Sequence, residues 1–362
     1  MITAHTPAGA MDRQGNQKEQ PRTMSTTRFL LLIACTTLLA GAFIAALSPG
    51  KRPSPLDREA STSELSFKPA SSSALCSGPE GCSATARNIT CCCGPAQCTE
   101  NAFDRLVALS DGIWTVLTRN DPKKATAGPA ENRMLIVKIP ATSTTPASLA
   151  LINGVNLCNS TLSDLKALEV SEAASVRYVI TPGDWHHVYL QQYNQHFPAA
   201  TVYVPPGRIP SLEPALNYTL LDPLNPLPAL QQHLTVLPML GLRQPPPHLE
   251  TVRYEFGFFH HSSGTLFAGD ILFYWSCEPS VKVRFVFPGS GRGKITFWDP
   301  MGMSMILNKT RASESALKFL ALPTRRFVSA HGPLGNMVSP GAVPSAHELL
   351  TTAMYTGHGP LA

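Results

Sequence analysis

The alternation of apolar and polar positions predicts strands interleaved with helices. GIWTVL and RMLIVKI, both rich in β-branched residues, are typical of strands, and SLALING follows as a third. TLSDLKALEVSEA places Leu162, Leu165 and Leu168 at helical spacing behind Ser160 or Thr161 as the cap. The strand VRYVI comes next, and a helix over HVYLQQYNQHF and a short strand in ATVYVPP follow it.

The second half of the pattern repeats this order. TVRYEFGFF and GTLFAGDILFYW predict strands, Ser313 introduces a helix near ESALKFLAL, and the strand RRFVSA runs into His331. The sequence contains no internal repeat of short period. Strands interleaved with helices predict an α/β layered domain of about 250 residues.

Composition narrows the class of protein. The chain has 362 residues, and 43% of them are apolar, which is enough for a proper core. Only 15% are charged, and the basic residues behind the net charge of +5 are scattered, so we expect no nucleic-acid partner. The 33 prolines concentrate in segments such as YVPPGRIPSLEP, which indicates rigid loops.

An uncharged apolar run over residues 29–47 has the length of one helical membrane crossing. It is long for a signal peptide, so we expect a single-pass signal anchor; a cleaved or bipartite targeting segment and a buried soluble helix are the alternatives. Basic residues flank the run on both sides, which leaves its orientation open.

Six of the nine cysteines crowd between Cys76 and Cys98. This density favours disulfides in an oxidising compartment, with a zinc knot as the alternative, although CCC lacks the Cys-x-x-Cys spacing of such a site. Four glycosylation triplets agree with a lumenal domain in the secretory pathway or an organelle; they begin at Asn88, Asn159, Asn217 and Asn308.

These patterns divide the chain into five parts. We predict a disordered tail over 1–28, a transmembrane or signal-anchor helix over 29–47, a Ser/Pro linker with the Cys-rich segment over 48–100, a folded domain over 101–340, and a C-terminal helix or tail over 341–362.

Polar side chains stand at the predicted strand ends, where ligand chemistry collects in α/β layers. Imidazole and carboxylate groups are metal ligands, so convergence of several would build a metal site. The candidates are Asp184, His186, His187, His248, Asp270 and His331.

Structural roles are the alternative for each candidate. Asp184 suits a helix cap at Trp185 or His186, Asp270 suits a hydrogen-bond acceptor for loop amides, and one histidine of the adjacent pair should point outward on a helix. His260 and His261 fit a hairpin tip. GSGRG, at 289–293, lacks a following Lys-Ser/Thr and indicates a flexible loop.

The order of these motifs resembles the metallo-β-lactamase superfamily, and in particular its branch known as domain of unknown function 4336. The resemblance covers about residues 103–335 and lies in the GIWTV opening strand, LFAGDIL and VSAHGPL. It implies a four-layer αββα sandwich.

The central family motif, Thr-His-x-His-x-Asp-His, is altered here. Thr181 matches its threonine, Pro182 and Asp184 stand at its first two histidines, His186 replaces its aspartate, and His187 keeps its last histidine. His248 falls near the family's Gly-His position.

The resemblance implies that one of the family's two metal sites is damaged. The second site retains candidate ligands in His186, His187, Asp270 and His331, with Asp184 as an extra oxygen ligand. We therefore expect one zinc or iron ion held by His187, Asp270 and His331, with His186 or Asp184 completing its ligands, or no metal at all. The corresponding functions are hydrolysis of an ester, amide or phosphoester bond in a small molecule that the sequence does not identify, or an inactive, membrane-tethered binding or structural module.

Overall fold

The computed structural model describes residues 103–119, 131–244, 251–276, 284, 287, 289–297, 305–331, 337–357 and 359–362. The apolar run at 29–47, the clustered cysteines and His248 lie outside these residues. No helix within the described ranges is long and apolar enough to cross a membrane.

The first sheet has seven strands in the part of the chain that the structure describes, and they follow one another in sequence order. The first four pair antiparallel and the last four parallel, with helices in the parallel crossovers. Its strands are β1 (Leu106–Ser110), β2 (Ile113–Arg119), β3 (Glu131–Ile139), β4 (Ser148–Ile152), β5 (Ser175–Ile180), β6 (Thr201–Val204) and β7 (Thr219–Leu220). The crossover helices are α1 (Asn159–Ser171), α2 (Leu190–His196) and α3 (Ile209–Leu212).

A 3-10 helix at Pro228–Leu230 leads into the second half. Within the described residues, the second sheet has five strands in the order β14-β13-β10-β9-β8; β10 and β13 pair parallel, and the other neighbours pair antiparallel. They are β8 (Leu234–Arg243), β9 (Val252–His260), β10 (Thr265–Ala268), β13 (Arg326–Ser329) and β14 (Met337–Val338). A separate ribbon pairs β11 (Leu272–Trp275) with β12 (Lys294–Phe297), and the last helices are α4 (Lys309–Leu320) and α5 (Ala346–Tyr355).

Three apolar cores separate the layers. Strand β3 shows the principle: Met134 and Ile136 pack toward α1 and α2, while Leu135 and Val137 face the second sheet. Successive side chains of a strand point to opposite faces, and a strand covered on both faces is apolar throughout. A third core joins the second sheet to α4 and α5. The mixed α/β fold predicted from the pattern is thus confirmed, with helices outside both sheets.

Several predicted elements need correction. Strand β8 was not predicted because it contains Pro238; it lies at the edge of its sheet, where a missing N–H is tolerated. GTLFAGDILFYW is not one strand, since the chain leaves the sheet after Ala268 and forms the ribbon. The helix expected from His187 begins only at Leu190.

Candidate metal centre

Three of the candidate residues meet at one end of the two sheets. β10 and β13 are parallel neighbours, with Ala268 opposite Ser329, and Asp270 and His331 each follow two residues later. The loop after β5 brings His186 to them, because it docks on β9: the Phe256 amide donates to the carbonyl of Pro182 at 2.7 Å.

One oxygen of Asp270 faces both imidazoles. Its Oδ1 atom lies 2.9 Å from Nε2 of His331 and 3.2 Å from Nε2 of His186. The three potential ligand atoms all lie within 4.8 Å of one another. The rings of His186 and His331 stack with centroids 5.1 Å apart and an interplanar angle of 24°.

His331 is oriented by the backbone. Its Nδ1 atom lies 2.9 Å from the carbonyl oxygen of Glu131, so Nδ1 donates and Nε2 is directed at Asp270. Metal-binding histidines are commonly held in this way. Burial lowers the pKa of His331, but the hydrogen bond to Asp270 and its negative charge outweigh burial, and the net shift is upward.

His186 is buried, and its Nε2 atom makes no hydrogen bond of good geometry although it lies close to Asp270. Burial is the largest influence on its imidazole, and the pKa of His186 is lowered despite the Asp270 charge. A neutral imidazole is the form that binds metals. The pKa of Asp270, which burial alone would raise, is held well below its usual range by His186 and His331.

The second oxygen of Asp270 belongs to an ion-pair network that the sequence analysis missed. Oδ2 accepts a hydrogen bond from Nη2 of Arg253 at 3.0 Å, and Nε of Arg253 donates to Oε1 of Glu255 at 2.8 Å. Both residues on β9 are buried. Burial raises the pKa of Glu255, although Arg253 opposes this shift. Two ionisable residues at i and i+2 in the apolar strand TVRYEFGFF were the available signal.

Two glycines make room for Glu255. A Cβ atom at Gly183 would overlap its carboxylate, and one at Gly269 would lie 3.0 Å from its Oε2 and from Pro182. Gly183 also forms an isolated bridge with Glu255. The backbone of the loop after β5 therefore packs directly against Glu255, the partner of Arg253.

Asp184 lies outside the three-residue cluster. It is fully buried and accepts hydrogen bonds from the amide of Arg208 at 3.4 Å and from Nε2 of Gln244. Burial raises its pKa. Asp184 thus connects loops, and the alternative that it caps a helix at Trp185 or His186 is wrong, because the helix begins at Leu190.

His187 is turned away from the cluster. Its Nδ1 atom lies 2.9 Å from Oε1 of Glu213. The neighbouring Trp185 is 40% exposed, and the guanidinium of Arg208 lies 4.5 Å from its ring centroid. His186 is therefore directed to the cluster, whereas His187, which the sequence analysis expected as a ligand, contacts Glu213.

An aromatic side chain of the ribbon packs against His331. The ring of Phe273 stacks on His331 with centroids 5.8 Å apart, and Trp275 and Phe287 pack against Phe273. Phe273 and Trp275 share one face of β11, as alternate strand residues do.

A cavity of about 920 Å³ opens at a different place, near the turn between β1 and β2. Its lining includes Asp111, Lys138, His233 and His260 and none of the three clustered residues. His260, expected as an exposed turn residue, is instead buried at the end of β9, with Nδ1 2.9 Å from the Ser263 hydroxyl.

No family model and no curated protein matches the sequence. Solved structures similar to the chain include TMB-1, at 13% identity and TM-score 0.44, covering 69% of this chain and 94% of that one. They also include the metallo-β-lactamase FIM-1 from Pseudomonas aeruginosa, at 14% identity and TM-score 0.43, covering 70% of this chain and 96% of that one. A metallo-β-lactamase from Pontibacter korlensis matches at 12% identity and TM-score 0.40, covering 68% of this chain and 95% of that one.

Proposed function

We propose that this protein is a metal-dependent hydrolase with a metallo-β-lactamase-type sandwich and a single zinc or iron ion held by His186, Asp270 and His331. The observation that carries the proposal is the convergence of these three side chains, from three separate loops, within 4.8 Å. The link to the domain of unknown function 4336 branch is supported by the residue matches alone.

The donor set fits a metal ion. Two imidazole nitrogens and one carboxylate oxygen are the protein ligands of many catalytic zinc sites and of non-haem iron sites, in which further positions stay open. Among the described residues, the buried Nε2 atom of His186 makes no hydrogen bond of good geometry. A bond to a metal ion would give this atom a partner. Glu131 fixes the ring of His331 through its carbonyl, as a ligand requires.

A bound ion of this kind supplies Lewis-acid activation of water and of a carbonyl or phosphoryl oxygen. The chain's own groups prepare the site. Arg253 orients the Asp270 carboxylate, and Phe273 supports the His331 ring. Hydrolysis of an ester, amide or phosphoester bond of a small molecule is the reaction class that this chemistry serves.

Metal analysis of the full-length protein tests the proposal. The chain is stripped with chelator, reloaded with zinc or iron, and compared with the double variant His186→Ala/Asp270→Ala and with His187→Ala. We expect about one ion per wild-type chain and per His187→Ala chain, and a loss of bound ion in the double variant. Equal metal content in all three proteins would refute the proposed site.

A non-catalytic, membrane-tethered module on the same fold is the second candidate. The observation in its favour is that protein groups already balance the negative charge of Asp270, through the contact with His331 and the ion pair with Arg253. A wild-type chain that takes up no zinc or iron would favour this function over the enzyme.

We also propose that residues 29–47 tether the protein to a membrane and that the folded domain is lumenal. The apolar run supports the tether, and the glycosylation triplets at Asn159, Asn217 and Asn308 begin with exposed residues. Alkaline extraction of membranes and a mobility shift after glycosidase treatment test the two parts. Release of the protein at high pH would argue against the tether, and unchanged mobility would argue against glycosylation.

A further inference from the structure

The two oxygens of Asp270 have different partners. Oδ1 faces the two imidazoles, whereas Oδ2 accepts the hydrogen bond from Nη2 of Arg253. A carboxylate that is to bind one ion through both oxygens, or to bridge two ions with one ion on each oxygen, needs Oδ2 free. In this chain the guanidinium occupies that side.

Arg253 is held firmly in this position. Its side chain is fully buried, two of its nitrogens donate to Oε1 of Glu255, and its backbone pairs with Leu242 in β8. Glu255 in turn is enclosed by Gly183 and Gly269. A planar guanidinium loses little side-chain entropy in such a fork, so the arrangement is preorganised.

The groups around Arg253 are acidic. Glu255 and Asp270 touch it, and Arg253 also acts electrostatically on the buried Asp184. Several carboxylates around one point are the ligands that divalent cations prefer. Buried carboxylates without a nearby cation are strongly unfavourable. If the guanidinium were removed, this side of Asp270 would therefore offer a site for a second cation.

We propose that Arg253 is a positioning residue that acts as a fixed internal cation: it restricts Asp270 to ligation through Oδ1 and limits the centre to one divalent ion. This inference rests on the single-ion function proposed above. A second ion on the Oδ2 side would have to occupy the space of the guanidinium and overcome its positive charge.

The experiment uses the full-length chain in detergent, stripped of metal and titrated with Mn²⁺ or Zn²⁺. The variants are Arg253→Met, which removes the charge, and Arg253→Lys, which keeps it. Arg133→Met is the matched control, because Arg133 is equally buried but its Nε donates to the Ser329 carbonyl. Elemental analysis gives the stoichiometry, and electron paramagnetic resonance of the Mn²⁺ form separates isolated ions from spin-coupled pairs.

We expect one isolated ion in the wild type, in Arg253→Lys and in Arg133→Met, and a rise toward two ions with spin coupling in Arg253→Met. A stoichiometry of one for Arg253→Met, with the wild-type spectrum, would overturn the inference and leave the proposed function intact. A wild-type chain without metal would overturn both.

A measurement on the wild type alone covers the case in which Arg253→Met does not fold. X-ray absorption of the protein at saturating zinc should show no metal–metal distance in the range of about 3.5–4 Å that two-metal sites have. Detection of such a metal–metal distance would show that Arg253 does not limit the site to one ion, while confirming that the centre binds metal.

Discussion

The rings of His186 and His331 lie stacked, with centroids 5.1 Å apart, although the two residues come from opposite sheets. Phe273 also stacks on His331, with centroids 5.8 Å apart. The position of the His331 ring, a proposed ligand, therefore depends on an aromatic side chain that has no ligand atom of its own. This dependence can be tested by substitution.

Phe273→Ala should weaken metal binding and destabilise the fold. Phe273 is buried, and removal of a buried Phe side chain typically costs about 3–5 kcal/mol. Loss of the stack also frees the His331 ring, so the metal dissociation constant should rise by about 10-fold or more, as for other groups that orient ligands. Phe319→Ala is the control, since Phe319 lies on α4 and is fully buried in the core between that helix and the second sheet. Isothermal titration should give a larger loss of affinity for Phe273→Ala than for Phe319→Ala, and equal losses would contradict the role of the stack.

The sequence identified Asp270 and His331 as candidates, and the structure brings them together because each lies two residues beyond one of two neighbouring parallel strands. The sequence did not identify His186, rather than His187, as the histidine that joins them. Helical geometry predicts only that the two diverge, and the pair lies before α2, in a loop whose path depends on contacts with β9.

Arg253 and Glu255 were not predicted as part of the site, because their surroundings also depend on tertiary contacts. Alternate charged residues in a strand normally face solvent, and only the tertiary structure shows that this face of β9 is covered by the loop after β5.

Strand β8 was not predicted because Pro238 interrupts its apolar pattern. The bulge at Gly241, with φ of +77°, also shifts the register of this strand.

Asp184→Asn should destabilise the protein without removing bound metal. Replacement of a carboxylate oxygen by an amide leaves Gln244 or the Arg208 amide without its acceptor, and a buried polar group that loses its partner costs about 1–3 kcal/mol. Urea denaturation measures the loss of unfolding free energy, and elemental analysis measures the ion. A stable Asp184→Asn protein that binds no metal would instead show that Asp184 is a ligand.

Gly183→Ala should disturb the ion-pair network beneath the cluster. The new methyl group would overlap the Glu255 carboxylate, and overpacking of a buried site costs about 1–3 kcal/mol. Gly291→Ala is the matched control, because its Cβ would meet Lys294 at an ordinary 3.5 Å. Chemical denaturation should show a clear loss of stability for the first variant and almost none for the second. Similar stabilities would mean that Glu255 can move aside at little cost.

His260 should make the protein less stable as the pH falls below neutrality. Burial, reinforced by the charges of His261 and His233, lowers the pKa of His260 to about 4, below the ordinary value of 6.5. Between these two values the unfolded chain binds the proton more readily than the folded one, so the stability that His260 contributes is present above pH 6.5 and is lost as the pH falls toward 4.

His260→Gln removes this titration while retaining a side chain that can bond to Ser263. The unfolding free energies of wild type and variant should therefore change differently between pH 6.5 and pH 4, with the steeper loss in the wild type. Denaturant titrations at a series of pH values measure the difference, and His347→Gln on α5 is a surface control. Parallel pH profiles for wild type and His260→Gln would show that His260 accepts its proton without cost to the folded state, through movement of the turn that begins at His261.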